Sequence, residues 1–277
     1  MTQHIYVVGD GITDNYIVVE KIGVGDEGVS PRFRVTDRFF RRGGANFVND
    51  SLWDQVEDDF VMPDEIHLEE VYYASEYYID RYMLDRTTPL SIVLTNEDEP
   101  TYFPEGSVRF SNWTKDSYVI LWDADRGYHH TTTLQDAYAR AREVGATIIV
   151  DCASPDILER YPDADIYKLN GQEYMAMHKN GYPNLKKRLL IVTGPMVNSI
   201  IGTYKGYWET TIRVPNDMII TDTIGAGDVF LARMVYLLAR GNGVDYAVRE
   251  AGKLATESTK HVGCYFPDKE KEGEHNG

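Results

Sequence analysis

The stretch Thr221-Asp222-Thr223-Ile224-Gly225-Ala226-Gly227-Asp228 follows a short apolar run, Met218-Ile219-Ile220, and opens into Val229-Phe230-Leu231-Ala232-Arg233-Met234-Val235-Tyr236-Leu237-Leu238-Ala239-Arg240. That second segment has neither Gly nor Pro and stops at Gly241. The pattern predicts a glycine-rich turn feeding the N-terminus of a buried helix, with a carboxylate on its first turn. Glycines let a backbone approach a ligand closely, and the free N–H groups of a helix start, together with its dipole, attract an anion. Asp228 in this place is either an N-cap or a base. A cap has no need of Gly-Ala-Gly before it, which favours the base.

Working outward, 277 residues suit one large α/β domain or one domain with a small appendage. Apolar and charged fractions of 43% and 26% are those of a globular protein, and no apolar run approaches the roughly 20 residues that would span a bilayer. Met1-Thr2-Gln3-His4 runs straight into a strand-like segment, unlike a signal peptide, so a cytoplasmic protein without a membrane partner is expected. Cys152 and Cys264 form no disulfide framework or metal spacing. The net charge of −16 argues against nucleic acid as a partner, since its phosphates would be repelled. It leaves room for a phosphorylated small substrate, because local cations set the field of a cleft.

Along the chain, Ile5-Tyr6-Val7-Val8 reads as a central strand ended by Gly9-Asp10-Gly11, with Asp14 in the loop beyond it. Tyr16–Glu20 and Phe33–Thr36 read as further strands of a small projecting sheet. Gly43-Gly44-Ala45-Asn46 precedes a helix-like run from Phe47 to Gln55; an ordinary turn with Asn46 as cap and a ligand loop are equally good readings. Residues 56–116 carry only short β-prone runs. From 117 the order is clear: strands at 118–122, 147–150, 164–169 and 189–192, with a helix from 134 to 144 capped by Thr133 and another at 171–178. A hairpin at 199–214 and helices at 228–240 and 244–259 follow. Strand–helix–strand repetition predicts a mostly parallel sheet with right-handed crossovers and flanking helices.

Gly225-Ala226-Gly227 is neither a dinucleotide fingerprint, since Phe230 stands where the third glycine belongs, nor a Walker loop, since no Gly-Lys-Ser/Thr follows. A glycine turn, a helix N-terminus and an Asp suit phosphoryl transfer to a hydroxyl: the N–H groups stabilise charge on the moving group and the carboxylate takes the proton.

Asp222-Thr223-Ile224-Gly225-Ala226-Gly227-Asp228 resembles the signature of the ribokinase/PfkB sugar kinases, whose final Asp is the catalytic base. Gly43-Gly44-Ala45-Asn46 resembles the N-terminal Gly-Gly-x-x-Asn-type signature with one residue fewer, and Gly9-Asp10 with Asp14 resembles the first-strand sugar segment. Asn170-Gly171-Gln172-Glu173 is similar to the Asn-x-x-Glu motif that holds Mg2+ through water, although a helix capping box has the same form. Within the family, Gly9-Asp10-Gly11-Ile12-Thr13-Asp14-Asn15-Tyr16, Val29-Ser30-Pro31 and Asp123-Ala124-Asp125-Arg126-Gly127 resemble heptose 7-phosphate kinases. Three departures stand out: Ala124 in place of an aromatic residue, Thr193-Gly194 followed by Pro195 without a second glycine, and Lys253 and Glu257 on the helix face near the adenine.

The resemblance implies a single ribokinase-like α/β domain over 1–277, with a β lid from about 16–40 and part of 70–110. It implies an ATP-dependent kinase acting on a sugar or sugar phosphate, with Mg2+ and, as an open point, a monovalent cation. Asp228 would be the general base, and Gly225, Ala226 and Gly227 the anion hole. Asp14, Gly43, Gly44, Asn46, Asp123 and Arg126 would bind the substrate. Lys168, Asn170, Thr193 and Gly194 would bind the nucleotide, and Glu173 the Mg2+. Lids of this kind pair, which implies a homodimer. The alternatives are a kinase-fold sugar- or nucleotide-binding protein with lost or low turnover and a ribokinase-type kinase of a nucleoside or another sugar, with a nicotinamide-dependent oxidoreductase a weaker further reading.

Overall fold

The computed structural model describes residues 3–24, 31–58, 66–68, 72–83, 89–95, 110, 112–124, 130–179, 188–194, 197–202, 208–213 and 220–267. Its first strand, β1 (Gln3–Val24), runs unbroken for 22 residues and organises the rest. The N-terminal half lies beside β6 (Ser117–Asp123), from His4↔Ser117 to Gly9↔Trp122. Beyond that point the same edge is taken by β2 (Pro31–Gly43), antiparallel from Ile12↔Gly43 to Val24↔Pro31. The other edge holds β3 (Ile66–Leu68) and then β4 (Tyr72–Met83), both parallel to β1, with β5 (Pro89–Thr95) antiparallel outside β4. One strand therefore serves two sheets, the main one and a projecting one.

Asp10 and Asp14 lie within this strand, which corrects the expected loop. Gly9-Asp10-Gly11 has the composition of a turn, but partners on both edges keep it extended. Gly9 permits the crossing, since a Cβ there would stand 2.1 Å from the Trp122 carbonyl oxygen. Where β6 and β2 part, the Asp10 carboxylate accepts the Ala124 N–H at 2.9 Å and fills the gap.

From β6 the main sheet continues with β7 (Thr147–Cys152), β8 (Ile166–Asn170) and β9 (Leu189–Thr193), all parallel, then β10 (Val197–Gly202) and β11 (Trp208–Arg213) as an antiparallel hairpin. Helices α1 (Gly44–Asp58), α5 (Ala226–Ala239) and α6 (Val244–Ser258) cover one face, where Val48, Leu52, Phe230, Leu231 and Val248 pack on Ile5, Val7 and Ile120. Helices α2 (His130–Val144), α3 (Ile157–Arg160) and α4 (Gly171–Lys179) cover the other, where Leu134, Ile157 and Met177 pack on Tyr6, Val8, Val119 and Leu121. Alternate residues of β1 thus feed opposite layers, as a sheet buried on both faces requires. The helix expected from 134 after a Thr133 cap starts four residues earlier, at His130, so Thr133 lies inside it. This is the ribokinase-like α/β fold.

Candidate active site

The parallel strands β6, β7 and β8 end beside the start of α5, where open α/β sheets collect ligands. Gly225 caps α5 in the left-handed region, φ +78°, and a Cβ there would lie 2.7 Å from Cys264 Sγ. Asp228 is the third residue of the helix and makes no capping bond, so the N-cap reading falls. Asp222 holds the turn from below, accepting the Ile224 N–H at 3.0 Å and the Gly263 N–H at 2.9 Å.

The Asp228 carboxylate gathers groups from three directions. Trp122 Nε1, at the end of β6, donates to Oδ1 at 2.9 Å. The N–H of Gly44, at the start of α1, faces the same carboxylate and favours its charged form. Gly44 is also left-handed, φ +61°, with room for no Cβ: Asp10 O would be 2.6 Å away. Lys168 from β8 stands below, its Nζ 2.9 Å from where a Cβ on Gly227 would be. Lys168 donates to Asp151 Oδ2, at the end of β7, in a buried ion pair of 2.5 Å. Burial alone would lower the ammonium's pKa; Asp151 first and then Asp228 reverse this and hold it charged.

Although Asp228 as a residue is half-buried, desolvation of its carboxylate in this ring pushes its pKa up to about 7. Lys168 pulls against that, Asp151 adds to it, and the Trp122 and Gly44 donors oppose it. A carboxylic acid that exchanges its proton near neutrality, beside a glycine turn and a lysine, can accept a hydroxyl proton while an anionic group is held next to it. Of the three expected anion-hole donors, Ala226 already gives its N–H to Thr223 O at 3.3 Å, whereas those of Gly225 and Gly227 have no partner among the described residues.

Asp14 lies at the far end, buried, with Oδ1 taking Arg81 Nε of β4 at 2.7 Å and Oδ2 facing Cys264 Sγ at 3.9 Å. Burial raises this carboxyl and Arg81 counters it. Gly43 sits against Oδ2, since a Cβ there would be 3.3 Å from it. Asn46 is buried with its Oδ1 unpartnered among the described residues, an acceptor that a ligand hydroxyl would satisfy. These positions lie together around the starts of α1 and α5.

Asn170 and Glu173 close the opposite side as a capping box. Asn170 Oδ1 accepts the N–H groups of Gln172 and Glu173 at 2.9 Å, and the Glu173 carboxylate accepts both the Asn170 N–H and its Nδ2 at 2.6 Å. Burial raises the Glu173 carboxyl, with Asp151 and Lys168 among the charges acting on it. Thr193 registers beside Asn170 and gives its hydroxyl to Leu169 O at 3.2 Å; Gly194 follows it.

Asp123 does not join the group. Next to Trp122 on β6, it points to the other face, accepting Tyr161 Oη at 2.9 Å and Arg160 Nη1 at 3.2 Å. Its carboxylate meets Arg160 at the end of α3 and Tyr161 just beyond it. Arg126 lies outside the described residues. Trp122, Asp151, Arg81 and Cys264 are additions that the sequence reading missed. Trp122 and Asp151 sit at ends of parallel strands, the position that could have marked them.

The family model for the pfkB family of carbohydrate kinases matches residues 127–271, a little over half of the chain and inclusive of the Gly225–Asp228 turn. The chain belongs to the pfkB carbohydrate kinase family. Solved structures share its fold at low identity. Phosphofructokinase-2 from Escherichia coli in complex with potassium is 16% identical, covering 96% of this chain and 95% of that one at a TM-score of 0.66. Arabidopsis thaliana ribokinase complexed with ribose and ATP is 16% identical over 95% and 94%, TM-score 0.63. The Methanocaldococcus jannaschii nucleoside kinase is 15% identical over 95% and 93%, TM-score 0.62. No curated protein sequence matches. Among the described residues of this kinase, no helix is long and apolar enough to cross a membrane.

Proposed function

We propose that this carbohydrate kinase transfers the γ-phosphoryl group of ATP to a hydroxyl of a sugar or sugar phosphate, with Asp228 as general base. The observation that carries the reading is Asp228 itself, set behind a left-handed glycine turn and held by Trp122, Gly44 and the Lys168–Asp151 pair. As the hydroxyl oxygen bonds to the phosphorus and the bond to the leaving ADP oxygen breaks, its proton passes to Asp228. The N–H groups of Gly225 and Gly227 take charge on the transferred group, that of Ala226 joins them once it leaves Thr223 O, and Lys168 takes a phosphate oxygen. Asp14, Asn46 and the Gly43-Gly44 backbone hold the sugar, while Asn170, Thr193 and Gly194 flank the nucleotide.

No group of three or more His, Cys, Asp or Glu among the described residues makes a protein cage for a metal. Glu173, under the influence of the Lys168–Asp151 pair, would hold through water an Mg2+ carried mainly by phosphates, an ion that binds through one or two carboxylates. Such an ion supplies screening of the phosphate charge. The resemblance in β1 favours heptose 7-phosphate as acceptor, and a monovalent cation belongs to the same reading.

Transfer from ATP to a sugar panel including heptose 7-phosphate, fructose, ribose and nucleosides tests it. The wild-type protein phosphorylates at least one, and Asp228→Asn loses roughly 10³-fold in kcat while retaining sugar binding. A variant with near-wild-type turnover overturns the role of Asp228. The capping box that occupies Glu173 favours a second reading, a sugar- or nucleotide-binding protein without turnover; binding without transfer across the panel would support it.

A further inference from the structure

We propose that the Asp14 end of the site is a subsite for an anionic group of the acceptor, formed by Arg81 and Arg41 on either side of Asp14. The inference rests on the kinase reading and names the class of its substrate: a sugar that carries a phosphate or carboxylate away from the hydroxyl that reacts.

Strands β2, β1 and β4 lie side by side, with Asp14 registered against Arg41 and Tyr16 against Arg81. Asp14 and Tyr16 are two residues apart, so these four side chains share one face. Gly263 confirms this, since a Cβ there would touch Tyr16 Oη at 2.9 Å and Arg41 Cγ at 3.1 Å. The Arg81–Asp14 contact runs along the same face.

Arg81 meets Asp14 through Nε alone, at 2.7 Å. Its two terminal nitrogens have no partner among the described residues, although the side chain is only 21% exposed. Arg41 stacks over Phe39 at 5.4 Å, Phe39 stacks on Tyr16 at 4.9 Å, and Arg41 makes no ion pair among the described residues. Tyr16 is 1% exposed and its hydroxyl is unpartnered among the described residues. A buried hydroxyl without a partner costs about 1–3 kcal/mol, and a ligand oxygen removes that cost.

The charges sharpen the class. Asp14 is paired with one guanidinium, that of Arg81, while Arg41, its cross-strand neighbour, lays its own over Phe39, and the nearby Asp222 is already satisfied by two backbone N–H groups. Within a chain of net charge −16, this face has cationic donors to spare. A neutral sugar needs Asp14 alone to accept its hydroxyls; planar, paired N–H groups suit a phosphate or carboxylate. The guanidiniums stand on the projecting strands, whereas Asp228 is held at the ends of the main sheet. Cys264, touching both Asp14 and the Gly225 turn, spans the space between them. The anion therefore sits opposite the reacting hydroxyl.

Calorimetric titration of the full chain with matched pairs tests this: ribose and ribose 5-phosphate, fructose and fructose 6-phosphate, glucose and gluconate. We expect at least one charged member to bind 10-fold or more tighter than its neutral partner. Arg81→Gln and Arg41→Gln should each cut that ratio by about 10-fold or more, the worth of a charge-assisted hydrogen bond. Arg41→Gln leaves the Asp14–Arg81 pair intact, so it keeps the test sound if Arg81→Gln misfolds. The phosphate and carboxylate arms tell the two anions apart, and preference for either supports the subsite. Equal binding of charged and neutral members, or a ratio that survives both variants, overturns it. Phosphoryl transfer is read separately: tight charged-sugar binding without transfer strikes the kinase reading and leaves the subsite standing.

Discussion

Asp228 can accept a hydroxyl proton only when ionised, and the pH at which that happens is set by burial working against Lys168. With its pKa near 7, kcat/KM for the acceptor should fall off below about pH 7, not below pH 4, in a pH–rate profile of the free enzyme. The same shift bears on stability. The native carboxyl holds its proton between its ordinary value and about 7, where the unfolded chain has released it, so rising pH through that window destabilises the fold. Asp228→Asn removes the buried charge. Its melting temperature should exceed that of the wild type at pH 8, with the gap closing towards pH 4; a gap independent of pH would contradict the assignment. Asp151 acts through others: it holds Lys168 and adds to the rise of Asp228. Asp151→Asn should therefore raise KM for ATP by about 10-fold, as losses of orienting partners do, and move the acid limb of the profile to lower pH. A purely structural role would lower stability without moving that limb.

At the level of elements, the start of α5 depends on a residue without a side chain. Gly225→Ala would place a Cβ in left-handed backbone and 2.7 Å from Cys264 Sγ, so it should cost about 2 kcal/mol or more in urea denaturation and retract the turn from the phosphate. This turn and strands β6 to β9 were legible because local signals and tertiary pairing agree there: apolar runs, a glycine stop, alternating layers. β1 was not. Gly9-Asp10-Gly11 carries the composition of a turn, and only its two-sided pairing with β6, β2 and β4 makes it one strand. Asp123 was read from the resemblance as a substrate ligand, with nothing to fix the face it takes. Trp122, one residue earlier, points to Asp228, and parity sends Asp123 to Tyr161 and Arg160. Arg81 had no local signal, since it reaches Asp14 only through the β1–β4 register, 67 residues away in sequence.

Across the whole molecule, the projecting sheet poses a problem of burial. In the outer half of β1 and β2, Val18 and Val19 are buried, but Ile22, Phe33, Val35 and Phe40 are 49%, 39%, 46% and 62% exposed. The β2 register slips at Val18/Val19, so Thr36 is the extra residue, and Phe33 and Val35 fall opposite Lys21 and Val19. Large side chains gathered on so thin a sheet need a cover. A second copy of the chain offers a self-complementary surface, because a two-fold axis brings the same apolar patch to itself. We propose that the projecting sheet is a lid of the single domain and the dimer contact. The full chain should sediment as a homodimer, and Phe33→Asp with Val35→Asp should give a monomer that keeps its melting temperature within a few degrees. Because Arg41 stands on β2 and Arg81 on β4, the two strands that flank β1, the monomeric variant should also lose affinity for the charged sugar, by a smaller factor than Arg81→Gln. A wild-type monomer at micromolar concentration would refute the dimer contact, and the exposed face would then belong to closure over the substrate.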